Sequence, residues 1–330
     1  MFRQFLISIL LSLVIPGLVF GSTKYEKVNN DPPQQIYAQV SSVPQITVQL
    51  AGAKEDEPVY IPVLGNGLIE EMELEDYVLG VVLGEMPASF EPEALKAQAV
   101  AARTYALRCS LDSNHEANAV CKDYRCCQAY CDPQAYLNGK GSQEKFDRVA
   151  KAVKDTAGLV ATYQGKLIFA VYFASSGGRT EDASEVWGNS FGYLKSVSSP
   201  GEADTAHQNS KVTFTAAQFQ EKLEGKISGD TKNWFGKVTY TKGGGVKTMV
   251  IGGKTYSGVK LRNLLGLKST KFSVKVSGNT ITITTNGHGH RVGLSQYGAQ
   301  AMAKEGRDFA QILAHYYSGI NIEKYPLSGD

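Results

Sequence analysis

LEDYVLGVVLGEMP, residues 74–87, predicts a helix that ends on a carboxylate. Apolar side chains recur from Leu74 to Val82 at the spacing of one helix face. Glu85 continues that face in the last turn before Pro87, which cannot extend the helix. An apolar surround and the negative end of the helix dipole would both raise the pKa of this carboxyl, which favours the protonated state that a general acid needs. The same pattern also fits an ordinary glutamate at a solvated helix end.

A second helix is predicted over residues 92–108, with Pro92 in its first turn and many alanines that permit close packing against a neighbour. Arg103 is a long cation in the second half of this helix. It could reach a carboxylate or a sugar, or it could simply favour the negative end of the helix dipole. Residues 143–156 predict another amphipathic helix that ends at Gly158.

Two later loops carry polar groups next to glycines. Residues 159–163 and 167–173 predict a pair of strands around a Gly-containing turn, and the second strand runs into ASSGGRTEDASEVW, residues 174–187. Its glycine pair lets a backbone approach a ligand closely, and its hydroxyl, carboxylate and indole groups suit sugar recognition. A strand over 280–285 leads into a Gly-His-Gly-His loop and a helix over 295–304.

All five cysteines lie within 23 residues, at Cys109, Cys121, Cys126, Cys127 and Cys131, with His115 among them. Clustered thiols with an imidazole have the composition of a closed zinc site. One or two local disulfides with a spare thiol are the competing interpretation, which an oxidising compartment favours.

The predicted helices and strands indicate an α+β protein, and its length allows either two domains or one large core with an insertion. At 330 residues and 42% hydrophobic, the chain can hold a large core of helices packed on a small antiparallel sheet, at 59–204 and 273–325, with a smaller α+β module at 205–272. From Lys211 to Lys275 there are thirteen Lys/Arg against three acids, a net +10 that leaves −8 elsewhere. Such a basic module suggests an anionic or extended polymer as partner, or only a soluble surface.

The N-terminus predicts export. A short positive start, an apolar run over residues 5–20 and small residues near a cleavage site give residues 1–22 the pattern of a signal peptide or an uncleaved anchor. Residues 23–58 predict a polar linker. We therefore expect the protein in the cell envelope, in the periplasm or at the outer face of the cytoplasmic membrane, and no nucleic-acid partner.

Three separated runs together resemble one family. VLGVVLGEMPASFEPEALKAQAVAARTYAL (78–107), YFASSGGRTEDASEVWG (172–188) followed by YLKSV, and GHGHRVGLSQYGAQAMA (287–303) look like the stage II sporulation protein D family, which also includes amidase enhancer proteins. The resemblance covers roughly residues 60–325. It implies a peptidoglycan lytic transglycosylase that acts in sporulation or division, with a preference for glycan strands already stripped of their stem peptides, and a cell-wall amidase as a partner.

The resemblance also assigns residues. In the family the glutamate of the Gly-Glu-Met-Pro run is the catalytic acid, which here is Glu85. Family members with a zinc site imply a structural Zn²⁺ at His115, Cys121, Cys126 and Cys127, with Cys126 at a position where those members carry histidine. The expected groove-lining residues are Arg103, Ser175, Ser176, Gly177, Gly178, Thr180, Glu185, His290, Ser295 and Gln296.

Two other functions stay open at this stage. A non-catalytic wall-binding protein that enhances an N-acetylmuramoyl-L-alanine amidase would have the same family motifs. A zinc hydrolase of stem peptides would need an open metal position and a neighbouring base. The local residues offer four ligands and no clear base.

Overall fold

A computed structural model of the chain describes residues 48–49, 58–111, 115–139 and 141–326. Contacts divide these residues into two compact units. We call the part within 33–208, 241–244 and 287–330 the core unit, and residues 209–240 with 245–286 the basic unit.

Helices and strands alternate irregularly along the chain, which confirms the predicted α+β class. The helices are α1 (Leu74–Glu85), α2 (Pro92–Leu111), α3 (Pro133–Asn138), α4 (Gln143–Asp155), α5 (Ala183–Trp187), α6 (Ala216–Lys222), α7 (Gly258–Leu265), α8 (Gln296–Lys304) and α9 (Phe309–Tyr316). The strands are β1 (Val48–Gln49), β2 (Tyr60–Gly65), β3 (Leu68–Glu73), β4 (Val120–Cys121), β5 (Leu159–Tyr163), β6 (Lys166–Leu167), β7 (Tyr172–Phe173), β8 (Ser210–Thr215), β9 (Phe235–Tyr240), β10 (Val246–Ile251), β11 (Lys254–Ser257), β12 (Phe272–Val276), β13 (Thr280–Thr285), β14 (Leu294–Ser295) and β15 (Asn321–Lys324).

Helix α2 lies at the centre of the core unit. It contacts α1, α4, α8, α9 and β5. Its alanines are buried, and small side chains let helix axes approach closely. Thr104 attaches the sheet to this helix, because its hydroxyl accepts the N–H of Ala161 in β5 at 2.9 Å. The helix predicted over 92–108 is confirmed and continues to Leu111.

Helix α1 ends where the sequence predicts, at Glu85, because Met86 is extended (φ −125°, ψ 136°) and Pro87 follows. Two glycines on α1 let the segment 128–131 cross it. A Cβ at Gly80 would overlap the ring of Tyr130, and one at Gly84 would lie 3.0 Å from the backbone of this segment. Glycine costs roughly 1 kcal/mol relative to alanine inside a helix, so its use here reflects the close crossing.

The sheets of the core unit are small and mixed. One has the order β1-β15-β5-β6, with β15 antiparallel to β5 and parallel to β1. A second has the order β3-β2-β4. The strand predicted over 167–173 is interrupted, because the amides of Ala170 and Val171 bond to carbonyls two residues back, which is a turn pattern. Its last residues, β7, pair in parallel with β14 instead.

The basic unit has its own apolar core and two antiparallel sheets, ordered β12-β13-β8 and β11-β10-β9. Buried Phe219, Trp234 and Leu261 belong to that core. The domain boundary that we predicted at 272/273 falls inside β12. Strand β13, assigned above to the core, pairs with β12 and β8 along its whole length. The basic unit therefore extends to Asn286.

The predicted signal peptide or anchor lies outside the described residues, and so does the linker apart from β1 and residue 58. Within the described ranges, no helix combines the length and the apolar character that crossing a membrane requires.

Candidate active site and metal centre

The carboxylate of Glu85 lies at the C-terminal end of α1, half-buried between two partners. Its Oε1 accepts the N–H of Ala129 at 2.8 Å, and its Oε2 lies 3.4 Å from Nε2 of Gln296. Burial raises the pKa of Glu85 above its usual value, and the two hydrogen bonds oppose that shift in part. The predicted direction of the pKa shift is confirmed.

Gln296 joins Glu85 to α2. Its Nε2 also lies 3.4 Å from Oε1 of Gln98, and both glutamine side chains are buried. Within the described part of the chain, Nε2 of Gln98 has no hydrogen-bond partner. A buried donor of this kind can donate a hydrogen bond to an acceptor atom of a ligand or of a water. The structure thus places Gln296, a predicted groove residue, beside Glu85.

Gln128 and Tyr172 form the rest of the polar surround. The hydroxyl of Tyr172 donates to Oε1 of Gln128 at 2.7 Å, and the hydroxyl of Tyr77 donates to the carbonyl of Cys121 at 3.0 Å. Burial and then the charge of Glu85 raise the pKa of Tyr172 well above its usual value, so this phenol stays protonated. Tyr172 reaches this place because β7 pairs with β14, next to Gln296.

The predicted metal ligands come together. The ligand atoms of His115, Cys121, Cys126 and Cys127 all lie within 4.8 Å of one another, and Nε2 of His115 is 3.1 Å from Sγ of Cys126. A turn in which the carbonyl of Asp123 accepts both cysteine amides lets the adjacent cysteines serve one site. None of the five cysteines, all of which lie in the described part of the chain, forms a disulfide, so the disulfide alternative is not what the structure shows.

This cluster fits a structural divalent metal. Three thiolates and one imidazole are soft and borderline donors that zinc takes in tetrahedral sites, at about 2.0–2.3 Å. Four protein ligands leave no open position for a metal-bound water, which argues against the zinc-hydrolase alternative. The cluster is also close in sequence to Ala129, the hydrogen-bond donor to Glu85, because Ala129 follows Cys127 by two residues.

Arg103 does not line a groove. Its side chain is fully buried, and its Nε and Nη2 donate to the carboxylate of Glu75 at 2.7 and 2.6 Å. Its Nη1 donates to the carbonyl of Leu159 at 3.0 Å. The structure contradicts the predicted substrate contact, because the guanidinium is already bound to protein groups and joins α1, α2 and β5.

Three predicted groove hydroxyls face a buried carboxylate instead of solvent. Glu202 accepts hydrogen bonds from the hydroxyls of Ser175, Ser176, Ser199 and Ser295 at 2.5 to 2.8 Å, and from the amide of Ser176 at 2.7 Å. Ser175, Ser176 and Ser295 are fully buried. These serines hold the loop and the start of α8 in place, so direct sugar contact by their hydroxyls is contradicted.

The remaining predicted groove residues differ in exposure. Thr180 is fully buried and its hydroxyl accepts the N–H of Val197 at 2.8 Å, which also contradicts a sugar contact. Glu185 is half-buried and accepts the N–H of Lys242 at 2.7 Å. His290 is half-buried with its ring 5.2 Å from that of Trp187. Gly177 and Gly178 are partly or fully exposed. Groove roles for Glu185, His290 and this glycine pair stay predictions.

Comparisons with known proteins agree with the motifs. A family profile described as Stage II sporulation protein matches residues 65–163. The chain is 40% identical over 324 residues to the stage II sporulation protein D of Bacillus subtilis (strain 168), across 95% of this chain and 93% of that protein. The chain belongs to the stage II sporulation protein D family. It is also 37% identical over 324 residues to the protein of that name from Bacillus amyloliquefaciens, across 96% of this chain and 92% of that protein.

A more distant relative of the chain is named differently from the two sporulation proteins. The chain is 31% identical over 300 residues to an amidase enhancer of Bacillus subtilis (strain 168), across 74% of this chain and 40% of that protein. The family resemblance that we drew from three motifs is therefore confirmed.

Sequence reasoning missed several residues of this family member's site: Gln98, Gln128, Ala129, Tyr172 and Glu202. Gln98 lies on the alanine-rich face of α2, where a glutamine among buried positions is itself a signal. Gln128 and Ala129 directly follow the cysteine cluster. Nothing in the local sequence marks Glu202, because its partners come from three separate segments.

Proposed function

We propose that this chain is a lytic transglycosylase that cleaves the bond between N-acetylmuramic acid and N-acetylglucosamine in peptidoglycan strands. One observation carries the proposal: Glu85 is a half-buried carboxyl with a raised pKa, held by an amide and a glutamine. Among the described residues, no second carboxylate contributes to the pKa shift of Glu85. Hydrolases of glycosidic bonds ordinarily use two carboxylates.

A single carboxyl suffices when the nucleophile belongs to the substrate. Protonated Glu85 donates its proton to the glycosidic oxygen as positive charge develops at C1 of muramic acid. The bond from C1 to that oxygen breaks, and the N-acetylglucosamine leaves as an alcohol. Glu85, now a carboxylate, accepts the proton of the muramic C6 hydroxyl, whose oxygen bonds to C1. The product is a 1,6-anhydro end, and Glu85 is again protonated.

The neighbours of Glu85 hold it for both steps. The Ala129 amide fixes Oε1, so Oε2 beside Gln296 is the oxygen that carries the proton. The side-chain amides of Gln296 and Gln98 can bind the acetamido or hydroxyl groups of a sugar. Proximity between the C6 hydroxyl and C1 then replaces the second catalytic group.

We further propose that His115, Cys121, Cys126 and Cys127 bind structural Zn²⁺, and that the chain is exported to the cell envelope by residues 1–22. Bound zinc would cross-link the segment from residue 115 to 127. The amide of Ala129, which donates to Glu85, lies two residues beyond that segment. The wall substrate and a cell-wall amidase are the partners that this function implies.

Replacing a ligand should remove the zinc. Cys121→Ser and His115→Ala are each expected to lose stoichiometric zinc, because a hydroxyl or methyl group cannot replace a thiolate or an imidazole. The matched control is Cys131→Ser, which changes a thiol outside the cluster. Metal analysis of the purified proteins measures zinc per chain. Unchanged zinc in both ligand variants would refute the site.

Activity should fall as pH rises. The first step needs protonated Glu85, whose pKa lies above its usual value of 4.5. We therefore expect kcat/KM on peptide-free glycan strands to persist above pH 4.5 and to decline through the raised pKa. Formation of 1,6-anhydromuramic ends, followed by mass spectrometry, gives the rate. A rate that climbs steadily with pH would contradict an initial acid step.

The amidase-enhancing function is the second candidate, and the amidase enhancer relative is the observation that favours it. Under that function the chain binds the wall and stimulates an amidase without cutting glycan. The same assay separates the two, because a pure enhancer forms no anhydro ends at any pH.

A further inference from the structure

The buried carboxylate of Glu202 collects hydrogen bonds from several segments of the core unit. Its side chain is only 2% exposed. Its Oε2 accepts the hydroxyl of Ser175 at 2.5 Å and the N–H of Ser176 at 2.7 Å. Its Oε1 accepts the hydroxyls of Ser199 at 2.5 Å and Ser295 at 2.8 Å. Burying a charge is costly unless it is fully hydrogen-bonded, so these donors and the carboxylate hold one another in place.

The donors around Glu202 suit a carboxylate and not an amide. On the Oε2 side the backbone N–H groups of Ser176 and Gly177 both point at the oxygen, at 2.7 and 3.3 Å, and a backbone donor cannot turn to accept. On the Oε1 side the hydroxyl of Ser295 already accepts the N–H of Gly298 at 3.4 Å, so its own proton is directed to Glu202. An ionised carboxylate is a group that only accepts, which is what this surround requires.

Helix α8 begins directly on this carboxylate. Ser295 is the N-cap of α8, and Gln296 is the first residue of the helix. A Cβ at Gly298 would overlap the hydroxyl of Ser199 and would lie 3.0 Å from Oε1 of Glu202. The first turn of α8 therefore approaches the hydrogen-bond network so closely that it needs a glycine, and the network sets where the helix starts.

Gln296 connects the start of α8 to the acid. Its side chain is buried, and its Nε2 lies 3.4 Å from Oε2 of Glu85. Because Gln296 directly follows Ser295, any movement of the N-cap also moves this side-chain amide relative to the oxygen that carries the proton. A misplacement of about 1 Å that originates away from the reacting atoms can cost about 10²-fold in rate.

We propose that Glu202 is a positioning residue for the acid: through Ser295 it fixes the start of α8 and so holds Gln296 against Glu85. Glu202 acts through these two residues and not by contact with the substrate. The inference rests on the proposed function, because a fixed contact to Glu85 matters for a group that must give up a proton and take one back.

Two serine variants separate positioning from general stabilisation. Replacing Glu202 itself would leave several buried donors unsatisfied and so risks the fold. Ser295→Ala and Ser199→Ala instead each remove one buried hydroxyl from the same oxygen, Oε1, and both should lower the melting temperature. Of the two serines, Ser295 is the one next to Gln296. We expect Ser295→Ala to lower kcat for anhydro-end formation about 10-fold with KM within about 2-fold, and Ser199→Ala to leave kcat within about 2-fold.

A double variant tests the route through Gln296. In the Gln296→Met background, Ser295→Ala should lower kcat by less than about 2-fold more, because the contact that Ser295 positions is already gone. A full loss of about 10-fold in that background would mean that Ser295 acts by another route, and would overturn the proposal. Equal losses of kcat in Ser295→Ala and Ser199→Ala would also overturn it.

A titration of Glu85 makes the test independent of catalysis. Carbon-13 NMR of the full chain, labelled at the glutamate carboxyls and assigned with Glu85→Gln, measures the pKa of Glu85. The hydrogen bond from Gln296 opposes the upward shift of this pKa. We therefore expect Ser295→Ala to raise the pKa of Glu85 further and Ser199→Ala to leave it unchanged. Tyr172, whose pKa lies well above its usual value, stays protonated throughout.

The two proposals fail in different ways. If Ser295→Ala has the parent's kcat and an unchanged pKa of Glu85, the positioning role is wrong, and the transglycosylase proposal stands when the parent forms anhydro ends. If the parent forms no anhydro ends, the proposed activity is wrong and the titration alone decides the positioning role. A rise of the Glu85 pKa confined to Ser295→Ala supports that role, and equal pKa values in the two serine variants contradict it.

Discussion

Glu85→Gln should reduce the formation of 1,6-anhydromuramic ends by about 10²- to 10⁴-fold, the range over which a general acid acts. Glutamine keeps the shape and can still accept the Ala129 amide, but it has no acidic proton. The assay follows anhydro ends released from peptide-free glycan strands. Glu144→Gln, an exposed glutamate on α4, is the matched control and should leave the rate unchanged.

The same variant carries its own test of folding. Because the folded-state pKa of Glu85 is raised, ionisation of this group costs stability, and the cost grows as pH rises through that pKa. Glutamine never ionises, so the variant should melt at or above the parent temperature at neutral pH, with the difference vanishing at acid pH. An inactive variant that melts well below the parent would point to misfolding. An unchanged product yield would leave the amidase-enhancing function as the better account.

Arg103→Met should destabilise the protein by about 3 kcal/mol, the lower end of the cost of breaking a buried ion pair from one side, because Arg103 is fully buried while the side chain of Glu75 is 29% exposed. The change removes the guanidinium donors from the carboxylate of Glu75, which keeps only the N–H of Gly158 at 3.0 Å, and from the carbonyl of Leu159. Denaturant unfolding monitored by circular dichroism gives the free energy of unfolding. If Arg103 only positioned substrate, its replacement would raise KM and leave the free energy of unfolding unchanged, so this measurement distinguishes the two roles.

Lys151→Met is the control for that loss. Lys151 pairs with Asp155 at 2.8 Å on the surface of α4, where its side chain is 74% exposed. Exposed pairs contribute about 0–1 kcal/mol. If Arg103→Met cost no more than this surface variant, the structural role that we assign to Arg103 would be wrong.

Local sequence predicted the helices well. The end of α1 at Glu85 followed from the apolar spacing and Pro87, and the start of α2 followed from Pro92. Short-range rules suffice where the boundary is fixed by residues next to it. The cysteine cluster was only partly predictable from local sequence, because its composition fitted both a zinc site and disulfides, and the four ligands were assigned from the family resemblance.

Long-range pairing was less predictable. The strand over 167–173 looked continuous by composition, but its end pairs with β14, more than a hundred residues later. Arg103 was placed by motif alone, which gives a position on the helix and not the partner that the side chain meets. The serines around Glu202 looked like sugar-binding hydroxyls for the same reason, since their acceptor lies on a separate segment.

The partner of Glu85 at residue 129 is a main-chain amide, and this has a consequence for how the site can change during evolution. Every coded side chain except proline leaves that N–H in place, so substitution at Ala129 seldom removes the bond. The vulnerable positions are instead Gly80 and Gly84, where any side chain would push the crossing segment away from α1. Sequence drift should therefore be tolerated at the residue that donates a hydrogen bond to the acid and disfavoured at two glycines that make no hydrogen bond to its side chain.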